Sequence, residues 1–208
     1  MIKKRLTLVL FALVALAFSG FAQTADEIVA RMEKEVARGE KEGVAMTMTM
    51  KIPLVDEIVT KMKVIGDDTR SVVKMKEEDM VIWTDKTTIR SYSSKSNEIV
   101  IENSKSDRSD NKEQDMFKGI ATGYKTTITG ETDATWSLKC VRTHDNPDKD
   151  DLKRMDIVVS KKTFLPVRLT AKASVATLII SDYSIGVTPE EVKFDASAYP
   201  GVKITDKR

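Results

Sequence analysis

The chain has 208 residues, with 34 Lys or Arg against 32 Asp or Glu, which leaves a formal charge of +2. This length suffices for a domain with a hydrophobic core, and the even charge balance gives no sign of a nucleic-acid-binding protein. The single cysteine, Cys140, cannot form an internal disulfide, and we expect a small buried side chain in a strand.

The first 22 residues have the pattern of a secretory signal peptide. A basic start at 3–5 precedes an apolar run at 6–18, and the small residues Gly20 and Ala22 favour cleavage after Ala22. The run is shorter than the ~20 residues that span a bilayer, and no cysteine follows it for lipid attachment. We therefore expect residues 23–208 to be one exported domain in the periplasm, not lipidated, with a formal charge of −1.

A helix is predicted at the start of the exported part. Thr24 and Glu27 have the spacing of a capping box, in which each side chain accepts a hydrogen bond from the other residue's backbone N–H. The apolar residues that follow recur at intervals of three and four and form one stripe: Ala25, Ile28, Val29, Met32 and Val36. Gly39 or Gly43 is expected to end the helix.

After the helix, apolar and polar residues alternate with a period of two, which predicts strands. The first six are 44–52, 57–66, 69–77, 79–85, 87–93 and 97–102. A polar interval at 103–115 ends in a short candidate helix with Met116, Phe117 and Ile120 as its apolar contacts. Five more strands are predicted at 122–130, 134–143, 152–160, 164–172 and 175–184. One early helix and many short strands predict an antiparallel sheet that curls around helices.

Methionines are concentrated on one face of the early strands. In "VAMTMTMKI", Met46, Met48 and Met50 alternate with Thr47, Thr49 and a lysine, so the methionines share a face. Methionine is flexible and polarizable and suits a surface that receives ligands of variable shape, whereas a fixed strand core favours Val and Ile. Ordinary core packing explains the same pattern, and periodicity does not decide between a sealed core and an apolar pocket.

The sequence gives little indication of an enzyme. His144, the only histidine, lies beside Asp145 in a predicted hairpin loop, and no serine is identifiable that would complete a catalytic triad. The acidic run 145–151 lacks calcium-loop spacing, and there is no clustered Cys/His metal pattern or glycine-rich phosphate loop. We therefore expect no catalytic activity, no metal and no cofactor.

Five segments form a set when they are taken in chain order. They are "TADEIVARMEKE", the strand at 44–52, "MVIWTDKTTIRSYSSKSNEIVI" at 80–101, "FLPVRLTAK", and the closing "IISDYSIGVTPEEVKFDASAYPGVKITD". Together they resemble the periplasmic outer-membrane lipoprotein carriers, the LolA-like proteins. The resemblance implies a mainly antiparallel α+β fold, an incomplete curved β-barrel (half-barrel) covered by an α-helical lid. It also implies a carrier that shields the acyl chains of lipoproteins between an inner-membrane lipoprotein-release transporter and an outer-membrane acceptor.

The resemblance and the alternation together suggest roles for particular residues. The expected ligand-binding residues are Met46, Met48, Met50, Ile58, Met62, Val64, Val73, Met75, Met80 and Ile82. The expected lid residues are Ile28, Val29, Met32, Val36, Met116 and Phe117. Arg70 is the nearest match to an arginine with which the family holds its lid, although the family's Arg-Pro pair is absent. Alternation does not fix which strand faces line the cavity.

Other functions of the same fold stay open at this point. One alternative is a periplasmic module that senses lipids or lipoproteins, and another is a glycolipid-binding module; neither would have transfer activity. Because fold does not determine function, the sequence alone leaves these alternatives beside the carrier. We expect a monomer in each case.

Overall fold

A computed structural model describes residues 23–54, 56–104, 117–146, 152–172 and 175–208. The expected signal peptide at 1–22 and the expected lid residue Met116 lie outside these ranges.

Helix α1 spans Ala25–Glu42 and begins at the predicted capping box. The Glu27 backbone N–H donates to the Thr24 hydroxyl at 3.2 Å, and the Thr24 backbone N–H donates to the Glu27 carboxylate at 2.9 Å. Gly43 ends the helix with φ of 74°, a conformation that glycine adopts without steric cost. The chain turns there directly into the first strand.

The strands of the described residues form one sheet. Strands β1 to β6 are Val44–Lys51, Ile58–Ile65, Asp68–Lys74, Asp79–Thr84, Thr88–Ser93 and Glu98–Asn103. Strands β7 to β12 are Tyr124–Glu131, Thr135–Arg142, Arg154–Ser160, Pro166–Lys172, Thr177–Ile185 and Lys203–Asp206. The short helices α2 (Ile120–Gly123) and α3 (Pro189–Val192) and a 3-10 turn (Ala196–Ala198) complete the described elements.

The sheet has the order β12-β6-β5-β4-β3-β2-β1-β11-β10-β9-β8-β7, with β12 and β7 at its edges. Its neighbouring strands pair antiparallel, except that β12 pairs with β6 in parallel. One core cluster joins α1 to the same face of β1, β2 and β7–β11, so this part of the sheet wraps around the helix. The predicted fold class, a mainly antiparallel half-barrel covered by a helix, is confirmed. We call the face that carries α1 the inner face and the opposite one the outer face.

The residues that follow β11 cross the outer face. We call residues 187–206 the C-terminal strap; it contains α3, the 3-10 turn and β12. Val192 is buried, and Lys63 on the outer face of β2 forms an ion pair with Glu191. The Trp83 ring of β4 packs edge-on against the Phe194 ring of the strap, with 5.0 Å between the ring centroids. The strap therefore covers the outer face of the strands whose inner face carries the methionines.

Candidate functional site

Strand pairing places nine of the ten expected ligand-binding residues on the inner face. For example, Met46 of β1 is paired with Met62 of β2, Met62 with Ser71 of β3, and Ser71 with Ile82 of β4, so these four residues form one row on the same face. The nine residues are Met46, Met48, Met50, Ile58, Met62, Val64, Val73, Met80 and Ile82. The tenth, Met75, lies just beyond β3, where its N–H donates to the carbonyl of Glu78 at 3.0 Å.

Helix α1 covers one half of this face, and its apolar stripe is fully packed. Ile28, Val29 and Met32 are 0% exposed and Val36 is 6% exposed. They pack in one cluster with inner-face residues of β8, β9, β10 and β11. Phe117, the other described lid residue, is also buried and meets the Tyr183 ring edge-on at 5.4 Å. We call this region, the inner face of β7–β11 with the start of β1, the covered half.

Three polar contacts hold α1 against the covered half. The Arg31 guanidinium lies over the Phe164 ring at 3.9 Å, a cation–π contact. The Glu33 carboxylate accepts a hydrogen bond from the Ala121 N–H at 2.9 Å. Near the end of the helix, Glu40 forms a 2.9 Å ion pair with Lys118. All three partners lie in the turn between β9 and β10 or just before β7.

The inner face of β2–β5 is packed much less tightly, and we call it the open half. Val64, beside the helix, is 3% exposed, but Ile58, Val73, Met80 and Ile82 are partly exposed and lie outside the core cluster. Exposure also rises along β1, from 3% at Met46 to 41% at Met50. Apolar side chains thus line a surface that continues from the core beneath α1.

Arg70 lies on the outer face. It is paired with Lys63 of β2 and with Trp83 of β4, whose side chains both contact the C-terminal strap. Helix α1 packs on the inner face. The expected contact between Arg70 and a lid formed by α1 is therefore wrong, because the two lie on opposite sides of the sheet.

Two titratable groups of the covered half, Cys140 and Tyr183, have raised pKa values and are neutral at neutral pH. Burial raises the pKa of the Cys140 thiol to about 11, and the cysteine is buried in β8 as the sequence predicts. Burial likewise raises the pKa of Tyr183 to about 12, with a smaller contribution from Glu40. A thiol with so high a pKa is a poor nucleophile, so Cys140 acts as a small apolar side chain.

The outer face contains a cavity of about 280 Å³ near the start of β5 and the strap. Its walls include Trp83, Phe194, Asp85 and Arg90, and Arg90 forms a 2.7 Å ion pair with Asp85. Burial tends to raise the pKa of Asp85, but hydrogen bonds from Arg90 and from the backbone N–H groups of the following turn outweigh it and lower that pKa to about 2. The charges of Asp85 and Arg90 in this cavity therefore compensate each other.

Within the described residues, no three His, Cys, Asp or Glu side chains lie close enough together to hold a metal ion. In that part of the chain, none of the helices has the length and apolar character needed to cross a membrane.

The inner face and its helix give the arrangement that the sequence resemblance implies. An unclosed, mainly antiparallel sheet wraps an apolar helix and leaves a neighbouring apolar surface partly exposed. The fold is a half-barrel covered by a helix.

Comparisons with known proteins record similar architectures at low identity. The chain is similar to an uncharacterized conserved protein from Thermus thermophilus, with 14% identity, a TM-score of 0.45 and coverage of 89% of this chain and 100% of that one. It is also similar to LprF from Mycobacterium bovis, with 14% identity and a TM-score of 0.49, and the match covers 79% of this chain and 93% of LprF. For a LolA superfamily protein from Nitrosomonas europaea the identity is 13%, the TM-score 0.32 and the coverage 85% and 100%.

No protein-family model and no curated protein matches the sequence.

The sequence missed two features of the site. The first is the set of inner-face hydroxyls, which includes Ser71 and Ser91; they become visible only when strand pairing assigns the faces. The second is the cation–π contact of Arg31 with Phe164, which joins residues far apart in the chain. For neither feature does local periodicity give a signal.

Proposed function

We propose that this protein is a periplasmic carrier that binds the acyl chains of lipoproteins and shuttles them from the inner to the outer membrane. The observation that carries this proposal is the open half, where partly exposed methionine, isoleucine and valine side chains share one face beside a fully packed helix. The sequence resemblance to lipoprotein carriers supports the choice of cargo.

The gain from shielding an acyl chain is large enough to drive capture. Each CH2 removed from water contributes roughly 0.8 kcal/mol, so a chain of about 14 to 16 carbons gains on the order of 10 kcal/mol. Met48, Met62 and Met80 can change rotamer and follow chains that lie in different positions. Binding of this strength also requires a partner that takes the cargo away.

Helix α1 serves in this proposal as a fixed wall at one side of the acyl chains. Lifting it would expose the four buried residues of the stripe, at a cost of about 8 kcal/mol if each contributes about 2 kcal/mol. Its contacts through Arg31, Glu33 and Glu40 would also be lost. Because this cost is close to the whole gain from one acyl chain, ligand binding on the open half with α1 in place is the cheaper route.

The route of the cargo follows from the expected compartment. A cleaved signal peptide, residues 1–22, would deliver residues 23–208 to the periplasm as a single domain. An inner-membrane lipoprotein-release transporter would supply the acylated cargo, and an outer-membrane acceptor would remove it. A monomer suffices for this cycle, since one open half belongs to each chain.

Val72 and Val73 provide a matched pair for the test. They are adjacent valines of β3, both partly exposed, and they lie on opposite faces, because Val73 is paired with Met80 and Val72 with Val81. We would introduce a photo-crosslinking residue at each position, irradiate cells of the native host, and identify the products by mass spectrometry. We expect acylated lipoproteins to be linked to position 73 and not to position 72.

A second measurement tests transfer. Purified protein loaded with a radiolabelled lipoprotein would be mixed with outer-membrane vesicles, and the label that enters the vesicles would be counted. Crosslinks at 73 to free lipids alone would contradict a lipoprotein cargo. Crosslinked lipoprotein without transfer would instead identify a binding or sensing module.

A further inference from the structure

Hydroxyl groups on the inner face are distributed unevenly between its two halves. In the covered half, β7 places one threonine on this face, Thr126, and its hydroxyl donates to the Cys140 sulfur at 3.8 Å. The core residues that β8, β9 and β10 place there are Trp136, Leu138, Cys140, Met155, Ile157, Val159, Leu169 and Ala171. On the open half, by contrast, six hydroxyl residues are interspersed with apolar ones across β2–β5: Thr60, Thr69, Ser71, Thr84, Ser91 and Ser93. A surface made only for hydrocarbon would not need these hydroxyls.

Two of the serines flank one apolar residue. In the central row, Ser71 of β3 and Ser91 of β5 are both paired with Ile82 of β4, and Met62 and Val100 continue the row on either side. Ser71 and Ser91 are partly exposed. Among the described residues, neither serine hydroxyl has a hydrogen-bond partner, whereas Ser93 donates to Glu78. The hydroxyls of Ser71 and Ser91 are therefore two hydrogen-bond donors without a partner in the described part of the protein, in a row where their neighbours, Met62, Ile82 and Val100, are apolar.

We propose that the carrier function proposed above includes recognition of the ester groups of the ligand, with Ser71 and Ser91 each donating a hydrogen bond to one ester carbonyl oxygen of a diacylglyceryl group. The acyl chains then lie over Ile82 and on toward Met62. This inference rests on the proposed function and names the chemical class of ligand that the site prefers.

The spacing of the two serines fits two neighbouring esters. Strands two positions apart in a sheet are about 9.6 Å apart, and an O–H···O hydrogen bond spans about 2.8 Å. Two acceptors held between the serines are then about 4 Å apart, a separation that ester carbonyls on adjacent glycerol carbons can adopt. An ester carbonyl only accepts hydrogen bonds, so it matches a serine donor and leaves no donor of its own unpaired beside Ile82.

The experiment compares two synthetic lipopeptides with identical acyl lengths. One has a diacylglyceryl-cysteine joined through esters, and the other has ether links that lack the carbonyl oxygens. Dissociation constants for both would be measured with the wild-type protein, with Ser71→Ala, with Ser91→Ala and with the double variant. Ser137→Ala, on the outer face of β8, is the matched control.

We expect the wild-type protein to bind the ester form more tightly, by about fivefold for each hydroxyl. In each single serine variant, the preference for the ester form, measured as the ratio of the two dissociation constants, should fall about fivefold. The double variant should bind both forms with the same dissociation constant. Ser137→Ala should keep the wild-type ratio. Ser71→Thr, which retains a hydroxyl, should keep most of the preference and shows that loss in Ser71→Ala is not a folding defect.

The two possible failures give different results. If the wild-type protein binds both lipopeptides equally, or if the double variant keeps the ester preference, the serines do not recognise esters although the carrier proposal stands. If neither lipopeptide binds the wild-type protein, the carrier proposal itself fails.

Discussion

Gly39 determines how closely α1 approaches β1. A Cβ atom at this position would lie 2.2 Å from Cγ1 of Val44 and 3.3 Å from the hydroxyl oxygen of Tyr183. Real Cβ atoms do not come so close to a neighbouring carbon, so either the helix or Val44 would have to move. The absence of a side chain at Gly39 thus keeps the end of the covered half closed.

Replacing Gly39 by alanine should destabilise the protein, although the same change in an exposed helix normally stabilises it by about 0.5–1 kcal/mol. We expect Gly39→Ala to lower the free energy of unfolding by about 1–3 kcal/mol, the usual cost of overpacking. Urea denaturation would measure this cost. In the double variant with Val44→Ala, the removal of Cγ1 should make the combined loss smaller than the sum of the single losses. A stabilised Gly39→Ala protein would show that α1 lies farther from β1.

Single positions also show what could be predicted from the sequence. Alternation in β3 separates Val73 from Val72, and the same alternation puts Arg70 on the face of Val72. The expectation that Arg70 contacts the lid came from the resemblance and conflicted with this alternation. Which face is the inner one could not be predicted, because it depends on where α1 packs. The hydroxyls of Ser71 and Ser91 were missed for the same reason.

The C-terminal strap is fastened to the outer face by aromatic rings. The Tyr199 ring lies 5.5 Å from Trp83 and 4.8 Å from Tyr92, measured between centroids. No hydrogen bond in the described structure involves its hydroxyl. The ring alone is therefore expected to hold the strap where it leads into β12.

A pair of substitutions at Tyr199 separates the ring from the hydroxyl. We expect Tyr199→Ala to cost about 2–3 kcal/mol locally, from lost burial and ring contacts, and to speed amide hydrogen exchange in β12 by about 30-fold or more. Tyr199→Phe should exchange like the wild-type protein, and peptides from β1 should be unchanged in both variants. Equal exchange of β12 in the alanine and phenylalanine variants would mean that pairing with β6 holds the strand by itself.

The elements of the strap were not predicted from the sequence, whereas the other strands were. Eleven strands were predicted because their period of two is local, and the structure places strands there with ends that differ by up to three residues. Strand β12 was missed, because its partner β6 is about a hundred residues away and the pairing is parallel. Helix α3 did have a local signal: Thr188 and Glu191 form a capping box around Pro189.

For the molecule as a whole, the question is whether α1 moves when ligand binds. The fully packed stripe and its three polar contacts favour a helix that stays in place, with acyl chains only on the open half. The two tryptophans suit a test, because Trp136 lies in the covered half next to Phe164 and Trp83 lies on the outer face.

Quenching by brominated acyl chains would locate the ligand, since bromine quenches tryptophan fluorescence only near contact. With a lipopeptide carrying such chains, we expect little quenching of Trp136 in the Trp83→Phe variant. A tryptophan placed in the open half, as Ile82→Trp in a protein with Trp83→Phe and Trp136→Phe, should be quenched strongly. Ligand without bromine controls for changes in fluorescence that binding itself causes, and urea denaturation verifies that each variant is folded.

Strong quenching of Trp136 would mean that acyl chains enter beneath α1. The helix would then have to leave the sheet, and ligand binding would have to repay about 8 kcal/mol for its apolar stripe. Such a carrier should bind a single-chain ligand weakly and a three-chain ligand far more strongly, because only additional chains provide the surplus. A fixed helix predicts instead that even one chain binds at useful affinity, and titration with single-chain and three-chain lipopeptides measures this difference directly.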